Sequence, residues 1–241
     1  MKISRNSWKS YIARQEKVNK AAAAAMKTWM EENQRATASQ IAAAAYEIVT
    51  KYSEASAALA CTMYDQLAVA QGVALAPAEP AAVVGRKECV RAIKGTLRNL
   101  HSTVPATTAR LVKQAGADTM LLNAQRDRAE FAWICVGDSC PFCVMLGSQG
   151  WRPMSSKALR YGHAPHIHAN CDCEYCVRHD GRSSVEGYEP EKLLEVCNDA
   201  SDGGWKDKLR AMRRDYYKAN ADEINEQKRI AYAARKEREQ G

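Results

Sequence analysis

A cluster of cysteines and histidines constrains the fold more than any other feature of the sequence. The stretch from Cys140 to Cys176 contains five of the nine cysteines and three of the five histidines. Cys140 and Cys143 have the C-x-x-C spacing at which two thiolates in one tight turn reach a single tetrahedral ion. The segment HIHANCDCEYC then supplies further soft ligands, which are His166, His168, Cys171, Cys173 and Cys176.

Four ligands close a structural zinc site, so this cluster offers more donors than one ion needs. A small region with few large aliphatic side chains gains order from a metal that its own core does not provide. We therefore predict a structural zinc. The spacing favours four ligands from Cys140, Cys143, His168, Cys171 and Cys173, with His166 and Cys176 as alternates. The other interpretation is a set of buried thiols and hydrogen-bonded histidines without a metal.

The cluster does not match the metal enzymes with recognisable signatures. A zinc deaminase has H-x-E before P-C-x-x-C, and a thermolysin-like protease has H-E-x-x-H; neither pattern occurs in this sequence. A treble-clef nuclease could use a similar cysteine knuckle, with His163, His166 and His179 available, but no signature fixes these histidines in place. We expect no enzyme activity, no catalytic residue and no small-molecule substrate.

The first part of the chain predicts long helices. Alanine runs such as Ala21–Ala25 have high helix propensity and little area to bury, so we expect an elongated helical body rather than a dense core. Residues 5–71 predict one or two helices, divided where Thr37 or Ser39 can act as an N-cap. An apolar stripe recurs there at steps of three and four. Its members are Ile41, Ala44, Ile48, Tyr52, Ala55 and Leu59.

Local signals divide the remainder. The prolines within residues 72–85 predict a connector, because proline interrupts a helix. Helices are then predicted over 86–100 and from Pro105 to about residue 131, with Gly116 as a candidate break. The segment FAWICVGDSC predicts a strand entering a turn. A short helix at 190–197 and a charged helix from residue 205, with Leu209, Met212 and Tyr216 on one face, complete the prediction.

Together these features predict a mainly α fold with a small α+β zinc-stapled region. Its short strands surround the cysteine and histidine cluster, between elongated N-terminal helices and a helical C-terminal tail. The predicted divisions are a helical region at 1–104, a helix with the Cys/His region at 105–180, an acidic linker at 181–204 and a basic tail at 205–241.

Charge and hydropathy limit the partners. The net charge is +7, and residues 205–241 contain 11 basic and seven acidic side chains. Basic ends can contact packaged DNA through phosphate, although mixed charges on a helix usually form a solvated face. No run of 18 apolar residues and no secretory signal is present, so we expect a soluble chain made in the cytoplasm with no membrane partner. In that compartment cysteines favour thiols or metal ligation over disulfides.

The segments RDRAEFAWICVGDSCPFCVMLGSQG, MSSKAL and HIHANCDC resemble the region near the C-terminus of MuF-like minor head proteins of tailed bacteriophages. The resemblance covers residues 111–176. Cys135 and Cys176 are additional to the pattern, and the first 30 residues have no counterpart in it. The matching residues are Trp133, Cys140, Phe142, Cys143, Leu146, Gly150, Ser155, His168, Cys171 and Cys173.

This resemblance implies a minor structural protein of the phage head, or minor capsid protein, assembled in the host cytoplasm and located in the inner head of the virion. It implies association with the portal and capsid proteins, and a role in head morphogenesis and in DNA packaging or delivery. Some relatives are labelled capsid maturation proteases, but no nucleophile, base and orienting group stand here at recognisable spacing. The alternative function is a zinc-dependent nuclease or toxin-like effector carried in the particle.

Overall fold

The computed structural model describes residues 2–98, 103–136, 139–155 and 173–240. Four helices form the body of the protein. They are α1 (Arg5–Glu32), α2 (Ala38–Ala70), α3 (Arg86–Arg98) and α4 (Val104–Arg126). The mainly helical architecture predicted from the sequence is confirmed. The described part of the chain contains no helix that is long and apolar enough to cross a membrane.

A small sheet lies at one end of this body. Strand β2 (Glu130–Ile134) is central, and the edge strands β3 (Arg152–Pro153) and β4 (Glu174–Arg178) both pair with it in antiparallel fashion. The short helix α5 (Pro141–Gly147) follows β2. The strand predicted in FAWICVGDSC is therefore confirmed as β2.

The N-terminus forms a short strand, and the C-terminal part of the chain is helical. Strand β1 (Lys2–Ile3) pairs in parallel with β5 (Ser184–Val185), which ties the N-terminus to the region after the sheet. Three helices then end the chain, α6 (Pro190–Ala200), α7 (Trp205–Ala219) and α8 (Ala221–Gln240). The predicted helix at 190–197 is confirmed as α6, whereas the predicted single tail helix is two helices that part at Asn220.

The helices enclose two apolar cores. In the first core, the N-terminal half of α1 and the C-terminal halves of α2 and α4 pack with the sheet and α5. In the second core, the opposite halves of the same three helices pack with α3. Helices α1 and α2 therefore run antiparallel, and α2 and α4 contact each other along their length. Helices on both sides of residue 104 contribute to each core.

The start of α2 follows from local chemistry. The Thr37 hydroxyl accepts a hydrogen bond from the Gln40 amide, and the Gln40 side chain accepts one from the Thr37 amide, at 3.3 and 2.8 Å. This reciprocal capping box satisfies two amides that the helix itself leaves unpaired. Of the two N-cap candidates, Thr37 is the one used.

The predicted apolar stripe of α2 was partly wrong. Ala55 is exposed and Leu59 is only partly buried, whereas Val49, Ser53 and Ala60 are fully buried. Helix α2 is covered by α1 and α4 at once, so its buried face is broad and consists of small residues. The predicted stripe contained only apolar and aromatic residues, so it did not include the buried serines Ser53 and Ser56.

Gly116 does not break a helix, contrary to expectation. Helix α4 continues through it from Val104 to Arg126 and ends earlier than predicted. A Cβ atom at this position would lie 2.7 Å from the Ser56 hydroxyl and 2.9 Å from the Gln15 side-chain nitrogen. The missing side chain therefore lets three helices approach closely, which offsets the low helix propensity of glycine.

Candidate functional site

The first two predicted ligands lie at the beginning of α5. Cys140 is the residue that precedes this helix, and Cys143 is within its first turn. Cys143 is 1% exposed, while Cys140 is partly buried and packs against the same first core. Proline is favoured at the first position of a helix, so α5 begins at Pro141. Cys140 and Cys143 consequently lie within the same helical turn.

The third described ligand, Cys173, comes from a later segment of the chain and lies near the beginning of α5. Cys173 immediately precedes β4 and is 1% exposed in the first core. Its sulfur lies 3.2 Å from the hydroxyl oxygen of Ser139, which is the residue before Cys140. The pairing of β4 with β2 therefore brings Cys173 beside the C-x-x-C turn, as the ligand prediction requires.

Cys176, an alternate ligand, lies on a different face. Side chains alternate along a strand, so Cys173 and Cys176, three residues apart, point in opposite directions. Cys176 is fully buried, and burial raises the pKa of its thiol far above the ordinary value. Its sulfur is 3.9 Å from the Val177 carbonyl oxygen. Cys176 lies on the same face of β4 as Glu174, which pairs with Lys113 of α4, so Cys176 faces the helices.

The other predicted ligands, His166, His168 and Cys171, lie outside the described residues. Within the described ranges, no group of three or more His, Cys, Asp or Glu side chains is arranged to hold a metal ion. No disulfide joins any two of the eight cysteines that the structure describes. The structure thus brings Cys140, Cys143 and Cys173 into one region and leaves the zinc site a prediction.

Aromatic side chains support this region. Trp133 on β2 and Tyr175 on β4 are buried and meet edge to face, with ring centroids 4.7 Å apart. On the outer strand, the Arg178 guanidinium lies 4.8 Å from the centroid of the Trp151 ring and also pairs with Glu130 at 2.6 Å. Trp133 thus belongs to the first core, whereas Trp151 is partly buried and packs against it.

Sequence analysis missed a buried ion pair next to the cysteines. The Lys113 ammonium of α4 lies 3.3 Å from the carboxylate of Glu174, the residue after Cys173, and their side chains are 2% and 4% exposed. The only sequence signal is a lysine among apolar residues of α4, which does not identify its partner. This pair joins the helical body to the strand that carries Cys173.

His179, considered above for a nuclease, lies in a separate polar group at the end of β4. Its ring meets the Tyr64 ring edge to face at 5.2 Å, and the Tyr64 hydroxyl donates to Asp127 at 2.8 Å. Arg126 donates to both carboxylate oxygens of Asp127 at 2.9 and 2.8 Å, which holds the pKa of Asp127 below its usual value.

The environment of His179 favours a neutral ring. Both ring nitrogens are buried and have no hydrogen-bond partner among the described residues. Burial lowers the pKa of His179, and the nearby carboxylates of Asp127 and Asp180 oppose that effect. The Asp127 carboxylate already accepts hydrogen bonds from Arg126 and Tyr64. This group of residues therefore connects α2, α4 and the end of β4 and has a structural role.

Comparison with known proteins gives one family. The VG15 protein family model matches residues 2–200, which include the helical body, the sheet and α6. No curated protein matches the chain, and no solved structure does. The match associates the chain with a phage or virus, in agreement with the coarser part of the expectation from the sequence. Because it spans most of the sequence, the chain belongs to the VG15 protein family.

Proposed function

We propose that this protein is a MuF-like minor structural protein of a bacteriophage head that associates with the portal and the capsid. In this role it acts in head morphogenesis and in DNA packaging or delivery. The observation that carries the proposal is the family match over residues 2–200, which includes the whole segment with the MuF-like cysteine pattern.

Exposed apolar side chains near the C-terminus support an assembly role. Helix α8 contacts α7, and its Ile230 and Tyr232 are 60% and 59% exposed. Tyr217 of α7 is 57% exposed. Large apolar side chains on a projecting helix favour burial against a partner protein, and a helix lying in a groove is a common mode of such binding. In a phage head, the portal and capsid subunits supply such surfaces.

We also propose a structural zinc in the region of α5 and β4. Cys140, Cys143 and Cys173 suit this role because all three belong to the first core or pack against it. The Cys173 sulfur also lies 3.2 Å from the hydroxyl oxygen of Ser139, the residue before Cys140. His168 or Cys171 would supply the remaining ligand. When bound, the metal would act as a cross-link between α5 and β4 and would not take part in a reaction.

The test of the head-protein proposal is quantitative mass spectrometry of purified particles from the source phage. The expected result is a low, fixed number of copies per portal, retained in mature particles. Absence from particles despite expression in infected cells would contradict the proposal. It would direct attention to the alternative of a zinc-dependent nuclease, to be tested by metal-dependent cleavage of plasmid DNA.

A further inference from the structure

Helix α3 carries a continuous row of basic side chains. Lys87, Arg91, Lys94 and Arg98 occupy positions i, i+4, i+7 and i+11 of the helix, so they lie on one face. Lys87, Arg91 and Arg98 are exposed and Lys94 is partly exposed. With a rise of 1.5 Å per residue, the row is about 16 Å long. We call these four residues the α3 basic row.

The opposite face of α3 fixes this row in place. Cys89 and Ile93 are 0% exposed and belong to the second core, with α2 and α4 on either side. The four basic side chains therefore project from a helix that is anchored to the body of the protein. Their backbone positions are set before any partner binds, so binding orders only the side chains.

The α3 basic row lacks the neutralising partners that other helices provide. Ion pairs within one helix join Lys20 to Glu16 on α1, Arg210 to Asp207 on α7 and Arg229 to Glu226 on α8. Within the described residues, no side chain of the α3 basic row forms a salt bridge. The single acidic residue of α3, Glu88, is exposed and forms no salt bridge with a residue of the row.

Such a row is unfavourable in the isolated protein. Like charges three or four residues apart destabilise a helix by about 0.2–0.5 kcal/mol per pair. The row contains three such neighbouring pairs, Lys87 with Arg91, Arg91 with Lys94 and Lys94 with Arg98. An extended anion with regularly spaced charges would remove this repulsion and gain direct ion pairs.

We propose that the α3 basic row binds the phosphate backbone of duplex nucleic acid. A duplex carries one phosphate per about 3.4 Å of axis on each strand, so a straight row about 16 Å long has several phosphates of the two strands within its reach. Arginine and lysine make the phosphate contacts that position proteins on a duplex without reading its sequence. The inference extends the proposed function by naming the surface that meets packaged DNA, but it rests only on the geometry of α3.

The composition of the face favours a duplex over other anions. Proteins that hold single strands place aromatic side chains in the binding groove for base stacking, and α3 has no aromatic residue. An acidic protein partner would normally add apolar contacts at the centre of its interface. Apart from Glu88, all the exposed residues of α3 are lysines and arginines. Phosphates on a regular helix match this arrangement best.

The basic tail is the competing location on this chain. Helix α7 also has a row of basic residues on its exposed face, Lys206, Arg210, Arg213 and Arg214. There, however, Arg210 pairs with Asp207 at 3.8 Å and Arg214 with Asp215 at 3.3 Å. Interspersed carboxylates repel phosphate, so the tail is the weaker site.

The experiment measures binding of the full chain to a labelled duplex of about 20 base pairs by fluorescence anisotropy over a series of salt concentrations. With four neutralised phosphates, the logarithm of the association constant falls with the logarithm of the salt concentration with a slope of about −3.6. The affinity therefore decreases about 100-fold between about 50 and 200 mM salt. The variant K87Q/R91Q/K94Q/R98Q should lose most of this slope and bind at least about tenfold more weakly at low salt.

The matched control is K206Q/R210Q/R213Q/R214Q, which removes the same number of positive charges from α7. It should keep the affinity and slope within about twofold of the unaltered protein. Equal loss in both variants would mean binding by net charge, and loss in the control alone would assign it to the tail; either result overturns the proposal. Equal or tighter binding of a polyglutamate peptide would overturn it in favour of an acidic protein partner.

Two further checks keep these outcomes interpretable. Glutamine has nearly the helix propensity of lysine and arginine, so circular dichroism should show both variants folded, with the α3 variant no less stable. The assay uses purified protein and plain DNA. Its failure would therefore leave the head-protein proposal untouched, and absence of the protein from particles would leave DNA binding by α3 untouched.

Discussion

The Lys113 ammonium of α4 lies 3.3 Å from the Glu174 carboxylate at the start of β4, and both side chains are almost completely buried. A single buried charge without its partner is strongly unfavourable, whereas the pair together is nearly neutral in its net effect on stability. The pair therefore favours this position of the sheet on the helices, because a different register of β4 would separate Lys113 from Glu174.

We predict that Lys113→Met or Glu174→Leu alone will destabilise the protein by about 3–5 kcal/mol, because each removes one partner of a buried ion pair. The double variant K113M/E174L should recover most of that loss, since it replaces the pair with apolar groups. Urea unfolding followed by circular dichroism measures all three. A double variant whose loss equals the sum of the single losses would show that the two residues are not energetically coupled.

Gly116→Ala should destabilise the protein although alanine is the better helix former. The new Cβ would meet the Ser56 hydroxyl at 2.7 Å, and that hydroxyl is held by a 2.8 Å hydrogen bond to the Gln15 side chain. Overpacking of this kind typically costs about 1–3 kcal/mol.

The matched control for this change is Gly95→Ala in α3, where a Cβ would meet no atom within 4 Å. It should stabilise the protein by up to about 1 kcal/mol, the difference in helix propensity between glycine and alanine. Thermal unfolding of both variants tests the pair. If the two substitutions shifted the melting temperature in the same direction, the close approach of α1, α2 and α4 at Gly116 would not limit packing.

His179 should make the protein less stable in mild acid. Burial lowers its pKa in the folded state, so between the ordinary histidine value of about 6.5 and the lowered folded value the unfolded chain binds more protons. Stability from this group is complete above about pH 6.5 and falls as the pH drops through that interval. His179→Phe keeps an aromatic ring beside Tyr64 and cannot be protonated, so its unfolding midpoint should depend less on pH there.

Asp118 on α4 contributes a pH dependence of stability opposite to that of His179, and the two contributions must be measured separately. Burial raises the pKa of its carboxyl group to about 6, so its contribution to stability is present at low pH and is lost as the pH rises through about 6. The variant Asp118→Asn removes this effect while His179 is retained. If H179F and the unaltered protein showed parallel stability curves between about pH 5 and 7, the assignment to His179 would be wrong.

Removal of a predicted zinc ligand should release the metal. We expect about one zinc per chain in protein purified without chelator, and its loss in Cys143→Ser and Cys173→Ser. Cys61→Ser is the control, since this partly exposed cysteine lies on α2 and is not one of the predicted ligands. Metal content is measured by mass spectrometry of the intact protein and by elemental analysis.

Cys176→Ser tests whether Cys176 is a zinc ligand or only a buried residue of the core. Because Cys176 faces the helices, this variant should keep the zinc and lose stability through its buried hydroxyl. Full zinc content in C143S, or protein that never contains zinc, would be the result that rejects the metal site. In that case the cysteines would be buried thiols, which is the other interpretation of the sequence.

Local signals explain which parts of the fold could be predicted. Thr37 followed three residues later by Gln40 forms a capping box, and the prolines of residues 72–85 end α2, so helix positions could be anticipated. The aromatic run of β2 likewise predicts a strand by its own composition. The family match and the cysteine spacing also follow from the order of residues alone.

The sequence by itself therefore determined the helices, the central strand and the chemistry available between Cys140 and Cys176. Only the tertiary structure decided which thiols meet, because Cys173 reaches Ser139 through the pairing of β4 with β2. It also turned Gly116 from a predicted helix break into a packing contact, and gave the buried Lys113 its partner. These outcomes depend on contacts between residues far apart in the chain, which leave no local pattern, whereas helix caps and strand composition act on neighbouring residues.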